Sequence, residues 1–257
     1  MYLYCNDKQK KPMKTLVIIP SRLSASRLPG KPLLKINGLS IISHVFKKAE
    51  EANIGEVIVA SEDQEIVDDV KKNGGQAILT KKEHKTGTDR IYEALEEINS
   101  SNVDLVMNLQ GDEPLMEIDD IRHLNDQMIK NNTKLGTLAS KILDKKFYEN
   151  QNIVKVITKE SLNDSNFSEA VNFMRKTSEQ SKSTYHHLGI YCYQKDTLKK
   201  FVSFNQSSNE VKNKLEQLRA LDNNIKINVA LAKTSPIGVD TEEDFIAIKK
   251  IMEYKSR

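Results

Sequence analysis

Thr15-Leu16-Val17-Ile18-Ile19-Pro20-Ser21-Arg22-Leu23-Ser24-Ala25-Ser26-Arg27-Leu28-Pro29-Gly30-Lys31-Pro32-Leu33 joins an apolar run to a loop that carries three cations. The run Thr15–Ile19 has the unbroken apolar character of a parallel strand buried on both faces. Loops that leave the carboxyl ends of such strands are where open α/β sheets bind ligands. Small residues and one glycine between Arg22, Arg27 and Lys31 let backbone N–H groups approach an anion closely. The prolines fix the path of the chain. This is the form of a triphosphate cradle, and it is not a P-loop, since no Gly-x-x-x-x-Gly-Lys-Ser/Thr occurs in it.

Working outward, strand-like runs alternate with amphipathic stretches through the first half. After the loop, Ile41, Ile42, Val45, Phe46 and Ala49 recur at helical spacing within Ser40–Asn53. Glu56–Ser61 reads as a strand, Gln64–Lys72 as a helix ended by Gly74-Gly75, and Ala77–Thr80 as a short strand. Thr88–Ile98 is a helix with Ile91, Leu95 and Ile98 on one face; Asp104–Leu109 is a buried strand and Ile118–Ile129 a further helix. Alternation of this kind predicts a mainly parallel central sheet with helices on both faces. The second half predicts a smaller mixed or antiparallel extension, from strands at Thr137–Ile142, Ile153–Thr158, Ala170–Met174 and Leu188–Tyr193. Helices follow at Asp196–Val202 and Glu210–Leu221, then a strand at Ile225–Ala232 and a closing helix at Thr241–Tyr254, with Thr241 as its N-cap. Lys176–Thr184 is polar and reads as a mobile loop, and residues 1–14 as a loose extension.

A chain of 257 residues suits one large α/β domain, here 15–257. No apolar run is long enough to span a membrane, and the first residues lack the apolar core of a signal peptide. Two cysteines, Cys5 and Cys192, cannot form a disulfide framework, which fits a reducing cytoplasm. A net charge of +3 does not point to nucleic acid as a partner.

Asp112 follows the strand Asp104–Leu109, and Asp240 lies between the last strand and the last helix. If those strands converge, both carboxylates face the cationic loop. Magnesium takes one or two carboxylates plus phosphate oxygens, so this pair fits a metal site; as a turn residue and a helix cap the two would need no ligand. Arg22 and Lys31 would hold a triphosphate, with Arg27 beside them. Gly87 and Thr88 lie between a strand and a helix, where their backbone meets a base edge or ribose, or where Thr88 simply caps the helix. His187 and Tyr191 are four apart and share a strand face.

Five further motifs follow the cationic loop in order: Thr86-Gly87-Thr88-Asp89-Arg90, Asn108-Leu109-Gln110-Gly111-Asp112-Glu113-Pro114, His187-Leu188-Gly189-Ile190-Tyr191, Glu216-Gln217-Leu218-Arg219 and Gly238-Val239-Asp240-Thr241. Together they resemble the 3-deoxy-manno-octulosonate cytidylyltransferase (CMP-KDO synthetase) family, from about Leu16 to the C-terminus. The resemblance implies a Rossmann-like nucleotidyltransferase fold and a homodimer. It implies transfer of a cytidylyl group from CTP to the anomeric hydroxyl of an acidic eight-carbon sugar, KDO, giving CMP-KDO and pyrophosphate for lipopolysaccharide biosynthesis. Mg2+ would be the cofactor, held by Asp112 and Asp240; with Arg22 and Lys31 these form the catalytic set. Cytosine would lie near Gly87 and Thr88. Arg175 would pair with the sugar carboxylate, and Gln110, His187, Tyr191, Glu216 and Gln217 would meet its hydroxyls. Residues 140–222 would form the acceptor-binding and dimerisation subdomain. Catalysis of nucleotidyl transfer is mostly positioning and electrostatics. His84 and His187 are the candidate protein bases, and the chemistry does not require one. Relatives carry a proline-rich segment ending in Trp-Asp-Arg after Arg175. Here Lys176–Thr184 replaces it and no second acceptor arginine is present, which keeps an amino-substituted KDO or a nonulosonate as the alternative sugar.

Overall fold

The computed structural model describes residues 13–24, 27–81, 84–98, 102–177 and 181–255. Most of the expected N-terminal extension (1–12) and the middle of the expected mobile loop (178–180) lie outside the described residues.

The chain forms β1 (Thr15–Ser21), β2 (Lys35–Ile36), β3 (Leu39–Ser40), α1 (Ile41–Glu51), β4 (Gly55–Ser61), α2 (Gln64–Lys72), β5 (Ala77–Leu79), α3 (Gly87–Glu97), β6 (Leu105–Asn108), α4 (Ile118–Asn131) and β7 (Leu135–Ser140). It continues through β8 (Lys155–Thr158), β9 (Ser168–Met174), β10 (Thr184–Gln194), α5 (Lys195–Ser203), α6 (Ser208–Asn213), α7 (Leu218–Asp222), β11 (Asn228–Leu231) and α8 (Glu242–Lys255). Among the described residues nine strands make one sheet in the order β5-β4-β1-β6-β10-β7-β11-β9-β8, and β10 also pairs with β8. The two remaining strands, β2 and β3, form a hairpin.

β1 pairs in parallel with β4 and β6, β4 with β5, and β7 with β11. Within the nine-stranded sheet, every antiparallel pairing among the described residues involves β9 or β10. Because these two reversed strands are interleaved with the others, the antiparallel part is no small appendix: β10, β7, β11, β9 and β8 pair in a closed ring. The fold is thus mixed α/β. β1, β4, β5, β6, β7, β8 and β11 share one direction, and the loops after β1, β6 and β11 leave at the same edge of the sheet, which is where the site forms.

Alternation along β1 divides the core. Leu16 and Ile18 face a cluster with Ile91 and Leu95 of α3, Leu198 and Phe201 of α5 and Leu218 of α7. Val17 and Ile19 face Ile42 and Phe46 of α1, Ile66 and Val70 of α2 and Leu124 and Met128 of α4. Helices therefore cover both faces. Cys192 is a free thiol buried in this core. Among the described residues no helix is long and apolar enough to cross a membrane.

Two local expectations change. The stretch 210–221 is not one helix: Lys214 adopts a left-handed backbone (φ 52°), which ends α6 before α7 begins. Thr86, not Thr88, caps α3, in a reciprocal capping box with Asp89, and Thr88 is buried inside the first turn.

Candidate active site

A cleft of about 340 Å³ opens at the carboxyl edge of the sheet, lined by Arg22, Arg27 and Lys31 from one side, Lys85, Thr86 and Gly87 from another, and Gln110, Asp112 and Asp240. The first loop is fixed at both ends. Leu23 N–H donates to Asp63 at 2.7 Å, and Gly30 N–H closes back on the Leu23 carbonyl at 3.1 Å. Gly30 has φ +71°, a conformation that a residue with a Cβ enters only under strain. It starts the short 3-10 turn Lys31–Leu33, with Pro32 buried beneath. The turn aims Lys31 into the cleft.

Asp112 arrives on the loop after β6. Gly111 lets this loop lie against the end of β1: a Cβ there would sit 3.0 Å from the Pro20 carbonyl oxygen and from Ile42. Asp240 arrives on the loop after β11. That loop is held at its start by the buried Asp120 carboxylate, which accepts from Lys233 N–H (2.8 Å) and Thr234 N–H (3.2 Å). Nearer Asp240, Val239 N–H donates to the Asp112 carbonyl at 2.9 Å, and the Val239 side chain packs with Ile36, Ile41 and Ile248. The β2–β3 hairpin thus serves as the apolar seat of the Asp240 loop. Asp244 then accepts from the N–H groups of Asp240 and Thr241 and starts α8.

The two carboxylates meet at one ammonium. Lys31 Nζ contacts Asp112 Oδ2 closely, Asp240 Oδ1 at 3.3 Å and the Val239 carbonyl at 2.8 Å. Arg27 adds an ion pair to Asp240 at 2.9 Å. Arg22 lines the same cleft. Glu113 stands beside this cluster with one carboxylate oxygen, Oε2, buried and without a hydrogen-bond partner among the described residues. Burial, and then the charges of Asp112 and Asp240, push its pKa up to about 8 against the opposing pull of Lys31.

The wall of the cleft that carries Lys85, Thr86 and Gly87 is braced from behind. Arg90, buried on α3, donates to Thr80 Oγ1 (2.5 Å), the Lys81 carbonyl (3.3 Å) and Glu62 (2.5 Å), tying α3 to the ends of β4 and β5. His84 pairs with Glu93 in the same wall. Of these residues, Arg90 and Glu113 sit within the quoted motifs without an assigned role. Lys85 directly precedes one, and that adjacency was the available signal.

The expected acceptor residues divide. Gln110 lies in the cleft, its amide N–H2 donating to the Gly189 carbonyl (3.1 Å) and Asn108 (3.3 Å). Because β10 runs against β6 with Tyr191 opposite Asn108, the first residues of β10 extend past the end of β6 toward the cleft edge. His187 and Tyr191 are on this segment with ring centroids 5.4 Å apart, and His187 Nε2 is 3.1 Å from Thr137 Oγ1. Burial, and then His186, push the His187 pKa down to about 3, so the ring is neutral. Glu216 turns toward the capping loop of α3. Burial raises its pKa, while hydrogen bonds with Thr88 and Thr86 pull it back down. Gln217 is buried beside it. Arg175 is elsewhere: its guanidinium donates to the carbonyls of Asn213 (2.9 Å), Lys214 (2.8 Å) and Gln151 (3.2 Å), and it does not line the cleft. In this arrangement it holds the end of α6, just ahead of Glu216-Gln217, and is not presented to a ligand carboxylate.

The oxygen pair suits a magnesium site of the kind completed by substrate. Asp112 and Asp240 come from two loops onto one cation while their side chains stay 30% and 47% exposed to the cleft. Among the described residues no group of three or more His, Cys, Asp or Glu could hold an ion alone. Magnesium uses one or two carboxylates with phosphate oxygens and water, so these residues fit it together with a nucleotide.

Residues 16–227 match the cytidylyltransferase family profile. The chain is 40% identical over 240 residues to 3-deoxy-manno-octulosonate cytidylyltransferase of Afipia carboxidovorans, covering 93% of this chain and 96% of the relative. It is 41% identical over 243 residues to the protein of the same name from Rhodopseudomonas palustris, covering 94% and 98%. Among solved structures, that of CMP:2-keto-3-deoxy-manno-octonic acid synthetase complexed with CTP superimposes with TM-score 0.85 at 32% identity, over 94% of this chain and 99% of the other. A 4-diphosphocytidyl-2C-methyl-D-erythritol synthase from Anaerococcus prevotii, at 16% identity and TM-score 0.63, shares the fold alone. Similarity of this extent over nearly the whole chain shows that it belongs to the 3-deoxy-manno-octulosonate cytidylyltransferase family.

Proposed function

We propose that this protein transfers a cytidylyl group from CTP to the anomeric hydroxyl of 3-deoxy-D-manno-octulosonate, releasing pyrophosphate and giving CMP-KDO for lipopolysaccharide assembly. The observation that carries this is the convergence of Arg22, Arg27, Lys31, Asp112 and Asp240 on one cleft, in a chain of this family. The nucleotide-binding core is Rossmann-like, built on β5, β4, β1 and β6.

Arg22, Arg27 and Lys31 bind the triphosphate and stabilise the charge that develops on its oxygens as the α-phosphorus is attacked. The backbone at Gly87 and the first turn of α3 seat the cytidine, and Arg90 keeps that wall in place. Gln110, His187, Tyr191, Glu216 and Gln217 orient the sugar so that its anomeric oxygen lines up with the α-phosphorus; fixing two reactants in line is itself a large share of the rate. Gln110 spends its N–H2 on protein carbonyls, which leaves its carbonyl oxygen to accept from a sugar hydroxyl. Magnesium is the proposed cofactor, held by Asp112 and Asp240. When bound it polarises the α-phosphate, lowers the pKa of the attacking hydroxyl and neutralises the leaving pyrophosphate. The proposed base-free route agrees with His187, whose neutral ring is occupied with Thr137.

We assign the acceptor side and a homodimer contact to residues 140–222, and the compartment to the cytoplasm. A light-scattering mass of one chain at micromolar concentration would rule the dimer out. The polar segment Lys176–Thr184, in place of a proline-rich one, favours a second reading: an amino-substituted KDO or a nonulosonate as natural acceptor. Pyrophosphate release from CTP with a panel of acidic sugars separates the two, since the natural acceptor gives the highest kcat/KM.

A further inference from the structure

An ammonium group has three protons to donate, and the Lys31 ammonium has used all of them: on the Asp112 carboxylate, on Asp240 Oδ1 at 3.3 Å and on the Val239 carbonyl at 2.8 Å. The side chain is only 14% exposed, so the pairing is screened far less than the neighbouring Arg27–Asp240 pair, whose partners are 57% and 47% exposed. Two constraints follow. In this arrangement Lys31 has no donor left for a phosphate oxygen. A divalent cation approaching this pair meets the ammonium on one oxygen of each aspartate and the Arg27 guanidinium on the other Asp240 oxygen at 2.9 Å, and like charges at such range repel strongly outside bulk water. Yet the reaction asks Lys31 to hold phosphate and the aspartates to hold metal.

We propose that Lys31 and the divalent cation exchange on the Asp112–Asp240 pair: Lys31 holds the two carboxylates together until metal and triphosphate arrive, and its ammonium then passes to a phosphate oxygen. This rests on the assignment of Asp112 and Asp240 as the metal site. Only the side chain needs to move, since Gly30, the 3-10 turn and buried Pro32 fix the backbone. Metal gains the carboxylates only when phosphate takes the ammonium, so each ligand tightens the other by the same factor. Lys31 is thus the coupling residue between metal and nucleotide, besides being a phosphate ligand.

The test is Mn2+ binding to the full-length protein without nucleotide, followed by electron paramagnetic resonance. Wild type, Lys31→Met and Lys31→Gln are compared, with thermal unfolding to show that each variant is folded. Both neutral variants should bind Mn2+ about tenfold more tightly than wild type or better, and adding CTP should then tighten Mn2+ by a correspondingly smaller factor. Asp112→Asn placed on Lys31→Gln should erase the gain. Equal Mn2+ affinity in wild type and both folded variants overturns the exchange. The metal assignment itself is read separately, in wild type with CTP. If Asp112→Asn and Asp240→Asn leave Mn2+ binding in the presence of CTP unchanged, that assignment falls and takes the exchange with it.

Discussion

Removing Glu210 should cost far more than an acidic residue on a short helix normally does. Its carboxylate is buried and accepts two bonds from Arg219, Nε at 2.8 Å and Nη2 at 2.5 Å. It also accepts Ser207 N–H and the Gln206 amide, each at 3.1 Å. Arg219 is equally buried and lies 4.7 Å from the Phe201 ring centroid. Glu210→Ala would strip the buried guanidinium of its two hydrogen-bonded oxygens and leave it only the Glu216 carboxylate, 3.9 Å away, which costs about 3 kcal/mol, the low end for a broken buried pair. Loss of the α6 capping box adds about 1 kcal/mol. For a chain of this size each kcal/mol is roughly 2–4 °C, so the melting temperature should fall on the order of 10 °C. Arg219→Met should cost a similar amount, and the double variant much less than the sum, because it removes both charges. Since the pair pins the segment carrying Glu216 and Gln217, the sugar KM should rise while the CTP KM stays near wild type. Urea and thermal denaturation of the two single variants and the double, with steady-state kinetics, measure all of this. A loss below about 1 kcal/mol in Glu210→Ala, or strictly additive effects, would refute the argument.

Asp112→Asn and Asp240→Asn should each lower kcat by at least about a hundredfold with melting temperature little changed, checked by pyrophosphate release at saturating magnesium. Arg175→Ala frees the carbonyls of Asn213, Lys214 and Gln151 and loosens the end of α6, and should raise the sugar KM by roughly two- to tenfold, the size of about one net hydrogen bond, with the CTP KM unmoved; equal effects on both would disconnect it from the acceptor side. His187 has a folded-state pKa near 3, below its ordinary 6.5, so the unfolded chain takes up the proton first as pH falls. Its contribution to stability is full above about pH 6.5 and is lost toward pH 3, at up to about 1.4 kcal/mol per pH unit. Urea titrations should show that His187→Asn flattens this acid limb by that much, and an unchanged limb would contradict a buried neutral imidazole.

The parallel half was legible because its strands and helices are long enough to show their periods: β1, β4, α2 and α4 start within one residue of where apolar spacing puts them. The β2–β3 hairpin was not, since two-residue strands have no period, although Asn37-Gly38 is a turn signal and both residues take positive φ. The left-handed break at Lys214 carries no signal at all, because lysine has no preference for that conformation. The closed ring of β7 to β11 comes from pairings across many residues, which local spacing cannot encode. Likewise the convergence of Lys31, Asp112 and Asp240 was readable once each was assigned to a loop at the carboxyl edge. The occupation of Arg175 was not, because its carbonyl partners are 24, 38 and 39 residues away.

The central claim is cytidylyl transfer at the cleft between the cationic loop and the two aspartates. Its most direct test is pyrophosphate release by the purified protein with magnesium, KDO and each of CTP, ATP and GTP in turn. The account predicts release with CTP and KDO together, little with either purine nucleotide, and loss of release in Asp112→Asn. Equal rates with all three nucleotides, or no release with CTP and KDO from folded protein, would contradict it.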